Sequence, residues 1–190
     1  MKPLSNYKTF SGGFTLLEIL IVVFIIGLSV SGIAIAISES KTDSPAYKEA
    51  EDFITAATFV GEYADLNGEV LALFVDKQNK NATQSAQWCY NWKRFRDNQW
   101  VAISEDSVTE HCVSADVQWD LIIEGKPYIY DPDVERQPPV IIFASSGETT
   151  AVEMAFMDRG ASDKPQRIEL DLMGNLHWKN KEEEEEKNAR

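Results

Sequence analysis

The side chains of this sequence that could carry chemistry are few and stand apart. The two histidines, His111 and His177, have no nucleophile motif around them. Residues 144–148, ASSGE, lack the Gly-x-Ser-x-Gly pattern, and neither a phosphate-binding glycine loop nor a His-Glu-x-x-His zinc motif occurs. The sequence therefore predicts a protein that is not an enzyme, with no catalytic residue and no cofactor.

The only two cysteines, Cys89 and Cys112, leave two interpretations open. In an oxidising compartment they can form one disulfide, whose loop closure would contribute about 3 kcal/mol in the chain-entropy model. Otherwise they are two unpaired thiols in the core. Two cysteines without a neighbouring pair of histidines do not supply the four ligands of a structural zinc site.

Three carboxylates fall within five residues at 131–135, DPDVE, and could hold a calcium ion together with backbone carbonyls. The spacing lacks the regular alternation of an EF-hand loop. A solvated loop containing a proline is therefore the favoured interpretation, and we predict no metal site.

Glu18 is the remaining chemical group of interest because it is the only charge in the apolar segment 14–37. A helix of that length reaches about 36 Å, which exceeds the hydrocarbon core of about 30 Å, so we predict a transmembrane helix. A charge at the centre of a bilayer costs about 2.5–3.5 kcal/mol on insertion scales, so a carboxylate there needs a partner. Lys2 and Lys8 precede the segment and place the N-terminus in the cytoplasm.

The elements around these residues predict an α+β fold, in which a long N-terminal helix packs on a mainly antiparallel sheet. A helix is expected to begin after Ser44, which is a favoured N-cap residue, with Pro45 at its first position. Asn67 and Gly68 are expected to end it. Whether this helix continues the membrane helix or starts afresh at the proline is left open. The expected organisation is a leader at 1–13, the membrane helix at 14–37, an amphipathic continuation at 38–68, a periplasmic β-rich domain at 69–178 and a charged, disordered tail at 179–190.

The β-rich part contains short runs of β-branched and aromatic residues separated by turn residues. A two-residue Gly-Asn turn at 173–176 is expected to fold the last of these runs back as a hairpin. The predicted strands are 69–76, 87–95, 99–104, 116–124, 139–145, 150–158 and 166–172.

The formal net charge of −13 argues against nucleic-acid binding, because an acidic surface repels phosphate groups. The single basic cluster is KRFR at 93–96, between Trp92 and Trp100. A strand face with cation–π pairs or a subunit contact explains it more readily than a DNA groove.

The segment GG followed by FTLLEILIVVFIIG resembles the class III signal of type IV pilins and type II secretion pseudopilins. The resemblance implies that a prepilin peptidase cuts between Gly13 and Phe14 and methylates the new amine of Phe14. The Glu18 carboxylate can then neutralise that amine, within one subunit or between neighbours. Since an ion pair in a low dielectric is favourable only when both members are present, Glu18 would set the register of assembly.

A second resemblance narrows the family. The segment PPVIIFASSGETTAVEMAF, followed by QRIELDLMGNLHW, is similar to the C-terminal region of GspH/FimT-type minor pilins. The family implies a minor pseudopilin near the tip of a type II secretion pseudopilus, held in the bacterial inner membrane with its C-terminal domain in the periplasm. Its expected partners are other major and minor pseudopilins, the prepilin peptidase, the inner-membrane secretion platform and membrane lipid.

Two alternatives stay open at this point. One is an ordinary signal peptide cleaved after AIA at 34–36, although a 24-residue apolar run exceeds the usual length of about 7–15 residues. The other is a FimT/FimU-like minor pilin of a type IV pilus, acting in adhesion or DNA uptake. The length and acidity of the globular part favour secretion.

Overall fold

A computed structural model describes residues 16–37, 44–78, 86–103, 108–160 and 164–189. The chain divides into two compact units, Met1–Lys41 and Thr42–Arg190. The first contains helix α1, Leu16–Ile37, whose side chains are exposed over residues 16–26. Within the described residues, no helix combines the length and the apolar character required to cross a membrane.

The second unit opens with helix α2, Pro45–Asn67, which has the predicted boundaries. The Ser44 hydroxyl accepts a hydrogen bond from the Tyr47 amide at 3.0 Å, and Gly68 ends the helix in the left-handed conformation at φ 63°. Residues 38–43, through which α2 would continue from α1, lie outside the described residues. One face of α2 is buried at spacings of three and four: Ala46, Ala50, Phe53, Ala57, Val60 and Ala64.

Two antiparallel sheets follow. The first sheet is made of β1 Leu71–Gln78, β2 Gln87–Arg96, β3 Gln99–Ala102, β4 His111–Cys112 and β7 Ile141–Phe143. The second is made of β5 Val117–Ile123, β6 Lys126–Pro127, β8 Val152–Asp158, β9 Gln166–Leu170 and β10 Leu176–Trp178. The first sheet has the order β3-β2-β1-β7, with β4 also paired to β2, and the second has the order β10-β9-β8-β5-β6.

The core lies where α2 packs across both sheets. Phe53, which has no exposed surface, is surrounded by four aromatic rings with centroids 5.7–6.4 Å away. Two rings come from β2 and two from the second sheet, namely Tyr90, Trp92, Trp119 and Phe156. The predicted α+β class with antiparallel sheets is confirmed, and each of the seven predicted strand segments contains a strand.

The C-terminal hairpin is confirmed, but its two-residue turn is wrong. Leu170 pairs with Leu176, so the connection contains the five residues 171–175. The Asp171 carboxylate accepts hydrogen bonds from the backbone amides of Met173 and Asn175 at 2.8 and 2.9 Å. These bonds stabilise a longer turn than the glycine-asparagine pair alone suggests.

The tail at 179–190, predicted to be disordered, is instead helix α3, Lys179–Asn188. Its first turn is bonded to the second sheet: Asn180 accepts a hydrogen bond from the Arg167 amide at 2.8 Å and donates one to the Pro165 carbonyl at 3.0 Å. Glu182 in the first turn and Lys187 in the last turn also interact favourably with the helix dipole. Packing against the sheet therefore orders a segment whose composition alone indicated disorder.

Candidate assembly site

The N-terminal motif falls only partly within the described residues. Glu18 lies in the first turn of α1 with an exposed side chain. Gly13 and Phe14, the predicted cleavage and methylation positions, lie outside the described residues. Cleavage, methylation and the ion pair between Glu18 and the Phe14 amine therefore stay predictions.

The start of α2 is joined to the second sheet by a carboxylate. Asp158, the last residue of β8, accepts a hydrogen bond from the Ala46 amide at 2.7 Å. A carboxylate at this position also interacts favourably with the positive end of the helix dipole. Ser44 and Asp158 thus satisfy two of the amides that a helix N-terminus leaves unpaired.

One turn further along α2, Glu49 joins the helix to the first sheet and the residues that follow β4. Its Oε2 atom lies 2.7 Å from Nε2 of His111, and its Oε1 atom accepts the Ser114 amide at 2.8 Å. The hydrogen bond with Glu49 raises the pKa of His111 above its ordinary value, although burial opposes the shift. Burial raises the pKa of the neighbouring Tyr90, whose ring centroid lies 5.2 Å from that of His111.

A disulfide between Cys89 and Cys112 reinforces the same corner. The two residues are paired directly across β2 and β4, and Tyr90 pairs with His111 beside them. Of the two interpretations left open by the sequence, the structure therefore has the bonded one. We call Glu49, His111, Ser114 and the Cys89–Cys112 bond the α2 anchor, because together they join the helix to strands β2 and β4.

The C-terminal segment packs against the same end of α2. Trp178 is 8% exposed, and its ring centroid lies 4.7 Å from that of Tyr47. Its indole N–H donates to Oε1 of Gln166 at 3.0 Å, and Lys181 places its ammonium group 3.9 Å from the centroid of the Trp178 ring. The end of the chain is therefore part of the globular unit.

Charged side chains on α3 pair with the strands beneath them. Lys179 lies 2.9 Å from Glu169, which raises the pKa of Lys179. His177 lies 2.8 Å from Glu182, and this hydrogen bond lowers the pKa of Glu182. The acidic run is thus partly neutralised by contacts that join the helix to β9 and β10.

The remaining predicted chemical groups make local contacts. In the loop at 131–135, Asp131 accepts the Asp133 amide at 3.0 Å, and Gln137 donates to the Asp131 carbonyl at 2.6 Å. No group of three or more His, Cys, Asp or Glu side chains that could hold a metal ion occurs within the part of the chain that the structure describes.

The basic cluster at 93–96 lies in β2, where successive side chains point to opposite faces of the sheet. The Lys93 ammonium lies 4.5 Å from the centroid of the Phe74 ring, and Glu69 pairs with Arg94 at 3.6 Å and with Arg96 at 2.7 Å. The cation–π pair predicted for this strand is therefore present.

Sequence reasoning missed the contacts of Glu49 with His111 and Ser114, and it missed the packing of α3. Glu49 and His111 are 62 residues apart, so nothing in the local pattern connects them. Helix α3 could have been predicted from the sequence, because Glu and Lys are good helix formers and the apolar residue Trp178 directly precedes them.

No family model matches this sequence. It is 24% identical over 185 residues to the type II secretion system protein H of Aeromonas hydrophila, covering 92% of this chain and 96% of that protein. Two solved structures of the minor pseudopilin EpsH from the type 2 secretion system of Vibrio cholerae resemble it with a TM-score of 0.54 each. They share 17% and 18% identity, and the superpositions cover 70% of this chain and 95% and 92% of those chains.

The chain has the fold of a minor pseudopilin. Helix α2 and the two antiparallel sheets on which it packs make up most of the second unit. The similarity predicted from the N-terminal motif and the C-terminal strands is therefore confirmed, both by the relative of protein H type and by the solved structures.

Proposed function

We propose that this chain is a minor pseudopilin of the type II secretion system, a structural subunit at or near the tip of a periplasmic pseudopilus that drives the export of folded proteins. The observation that carries the proposal is the similarity to protein H along nearly the whole of both chains. The pilin-type motif at residues 12–27 and the fold of the second unit support it independently.

In this proposal residues 14–37 anchor the protein in the inner membrane by a single pass, with the N-terminus in the cytoplasm and residues 69–178 in the periplasm. The support is the length and apolar character of that sequence segment, together with the basic residues that precede it. The segment contacts membrane lipid before assembly and other major and minor pseudopilins afterwards.

The proposed chemistry of assembly is an ion pair. After the prepilin peptidase removes residues 1–13, the amine of Phe14 is cationic and Glu18 is the nearby anion in the apolar segment. A subunit that lacks either member leaves an unpaired charge in a low dielectric, which is strongly unfavourable. Glu18 therefore selects correctly processed and correctly placed subunits.

The contacts near the start of α2 would connect the chain before the helix mechanically to both sheets. A force on the chain before α2 would reach the second sheet through the contact with Asp158 and the first sheet through the contact of Glu49 with His111. Because both contacts lie in the first two turns of the helix, the domain would move as one body when the secretion platform adds or withdraws a subunit.

Mass spectrometry of the mature protein from its host tests the proposal. We expect a chain that begins at a methylated Phe14. A chain beginning at Ile37 would instead indicate an ordinary signal peptide, and a retained leader would exclude pilin-type processing.

Two variants separate processing from assembly. Gly13→Ala should block leader removal, because a side chain obstructs the close approach of the peptidase to the backbone, and an immunoblot should show a larger band. Glu18→Ala should be processed normally but lose crosslinks to neighbouring pseudopilins. Normal assembly of Glu18→Ala would contradict the ion-pair role while leaving the family intact.

A further inference from the structure

The Cys89–Cys112 bond and the two contacts of Glu49 meet in one short stretch of the chain. Cys112 pairs with Cys89 across β4 and β2, and it lies between the two partners of Glu49 in the sequence. His111 directly precedes Cys112, and Ser114 follows it by two residues. Strand β2 therefore holds this stretch by a covalent bond, and helix α2 holds the same stretch by a carboxylate.

The noncovalent pairing of residues 111–114 with β2 is short. Strand β4 contains two residues, and its ladder to β2 has two residue pairs. The Val113 amide donates to the Trp88 carbonyl at 2.8 Å, and the Val113 carbonyl accepts a hydrogen bond from the Gln87 side chain at 2.7 Å. Since so short a pairing has little stability of its own, the disulfide contributes strongly to fixing the position of the two partners of Glu49.

Two interactions that fix the same residues are thermodynamically linked. If the disulfide makes the contacts of Glu49 more favourable, those contacts make the disulfide more favourable by the same free energy. Oxidation removes one proton and one electron from each thiol and forms the S–S bond. A disulfide donor takes up both electrons and both protons, and its own S–S bond breaks to give two thiols. Cys112 is half-buried and Cys89 is 1% exposed, so Cys112 is the more accessible residue for this exchange.

We propose that the oxidation state of Cys89 and Cys112 controls how firmly the first sheet holds the start of α2. When the bond is present, His111 and the Ser114 amide stand in fixed positions beside Glu49. When both cysteines are thiols, the stretch that contains these partners is held less firmly. The contacts of Glu49 are then broken for a larger fraction of the time.

This redox switch would act during the export of the domain. It rests on the proposed function in one respect, namely that the domain reaches a compartment in which disulfides form. A domain that has just crossed the membrane would contain two thiols, and its α2 would be held by Asp158 of the second sheet more firmly than by the first sheet. Oxidation would then complete the connection of α2 to both sheets before the subunit bears a load.

The first test measures exchange of the Ser114 amide, which reports the contact directly because it donates to Glu49. The full chain in mild detergent is compared in its oxidised form and after reduction with a phosphine. Reduction should speed exchange at Ser114 several-fold and should leave Ala46, which donates to Asp158, unchanged. Unchanged exchange at Ser114 overturns the proposal. An equal increase at Ala46 also overturns it, because the whole domain would then be loosened.

The second test measures the reverse effect, in which α2 changes the stability of the disulfide. Glu49→Ala removes both contacts, whereas the control Glu51→Ala removes a carboxylate that lies 3.8 Å from Lys181 of α3. After equilibration with reduced and oxidised glutathione, trapping of free thiols gives the ratio of disulfide to dithiol form. Glu49→Ala should lower this ratio several-fold, and Glu51→Ala should leave it unchanged. An unchanged ratio in Glu49→Ala, or an equal decrease in Glu51→Ala, contradicts the linkage.

The outcomes distinguish the switch from the proposed function. Both tests concern the second unit, so they do not depend on how residues 1–37 are processed. Linkage in a protein that retains its leader in the host would support the switch and exclude pilin-type processing. A methylated Phe14 without linkage would support the proposed function and exclude the switch. If Glu49→Ala disturbs folding, the exchange comparison on the wild-type protein decides the question.

Discussion

The two sheets have similar inner faces and different outer ones. Each contributes two aromatic rings to the surroundings of Phe53. On its outer side the first sheet carries the aromatic cluster of Phe74, Phe95 and Trp100, whereas the second sheet carries charged residues and the helix α3. The second sheet is stabilised locally by ionic and hydrogen-bonded contacts, and the first by a covalent bond to its shortest strand.

Because of this difference, substitutions can distinguish the stability that the shared core provides from the stability that the contacts of each sheet provide. A change in the core should weaken both sheets together, since α2 packs on both. A change in the disulfide should act mainly on the first, and a change in α3 mainly on the second. Four predictions follow this division.

Substitution of the central phenylalanine, Phe53→Ala, should have the largest effect. The residue is fully buried, and removing such a ring costs about 3–5 kcal/mol of unfolding free energy. Chemical denaturation should show the loss, and hydrogen exchange should rise in both sheets. The matched control is Phe59→Ala, because Phe59 lies on the same helix but is 39% exposed, and a loss equal to that of Phe53→Ala would contradict a core shared by both sheets.

Removal of the disulfide by Cys89→Ser with Cys112→Ser should cost about 3 kcal/mol through the greater freedom of the unfolded chain. Hydrogen exchange should rise mainly in β2 and β4. A reducing agent should destabilise the wild-type protein and leave the double variant unchanged. Equal exchange in β8 and β9 would show that the bond supports the whole domain rather than the first sheet.

Substitution of the helix contact by Asn180→Ala should cost about 1–2 kcal/mol, because it removes two side-chain hydrogen bonds, one to the Pro165 carbonyl and one to the Arg167 amide of β9. Exchange in α3 and β9 should rise while exchange in β2 stays constant. Glu185→Gln, an exposed change on the same helix, serves as the control. A protein with unchanged exchange in α3 would contradict the anchoring role of Asn180.

The pH dependence at His111 should be the smallest effect, because the side chain is 36% exposed. Its pKa is raised in the folded state, mainly by the hydrogen bond with Glu49, so the stabilisation is complete below the unfolded value of about 6.5 and is lost as pH rises through the folded value. Thermal unfolding from pH 6 to pH 8 should show this decrease. His111→Gln should flatten it, and an unchanged slope would contradict the assignment.

The sequence predicted the elements that depend on local rules. The ends of α2 follow from Ser44, Pro45 and Gly68, whose conformational preferences act within one turn. The longer strands follow from the alternation of buried and exposed residues, as in β5 and β8.

The features that were missed depend on distant partners. The strands β4 and β6 contain two residues each, too few for a periodic pattern, and exist because β2 and β5 lie beside them. The pairing of Glu49 with His111 and the docking of Asn180 onto the β9 region join residues that no local pattern relates. The proposed N-terminal site rests on a motif alone, since Gly13 and Phe14 lie outside the described residues.

The contact between Trp178 and Tyr47 brings the residue before α3 next to the start of α2. A circular permutant that joins Asn188 to Ser44 therefore needs a linker that can run back along the 10 residues of α3, about 15 Å, and its new termini could be opened at the tip of the β2–β3 hairpin, between Asp97 and Asn98. Such a permutant would free the start of α2 from its upstream segment while leaving the strand order of both sheets intact.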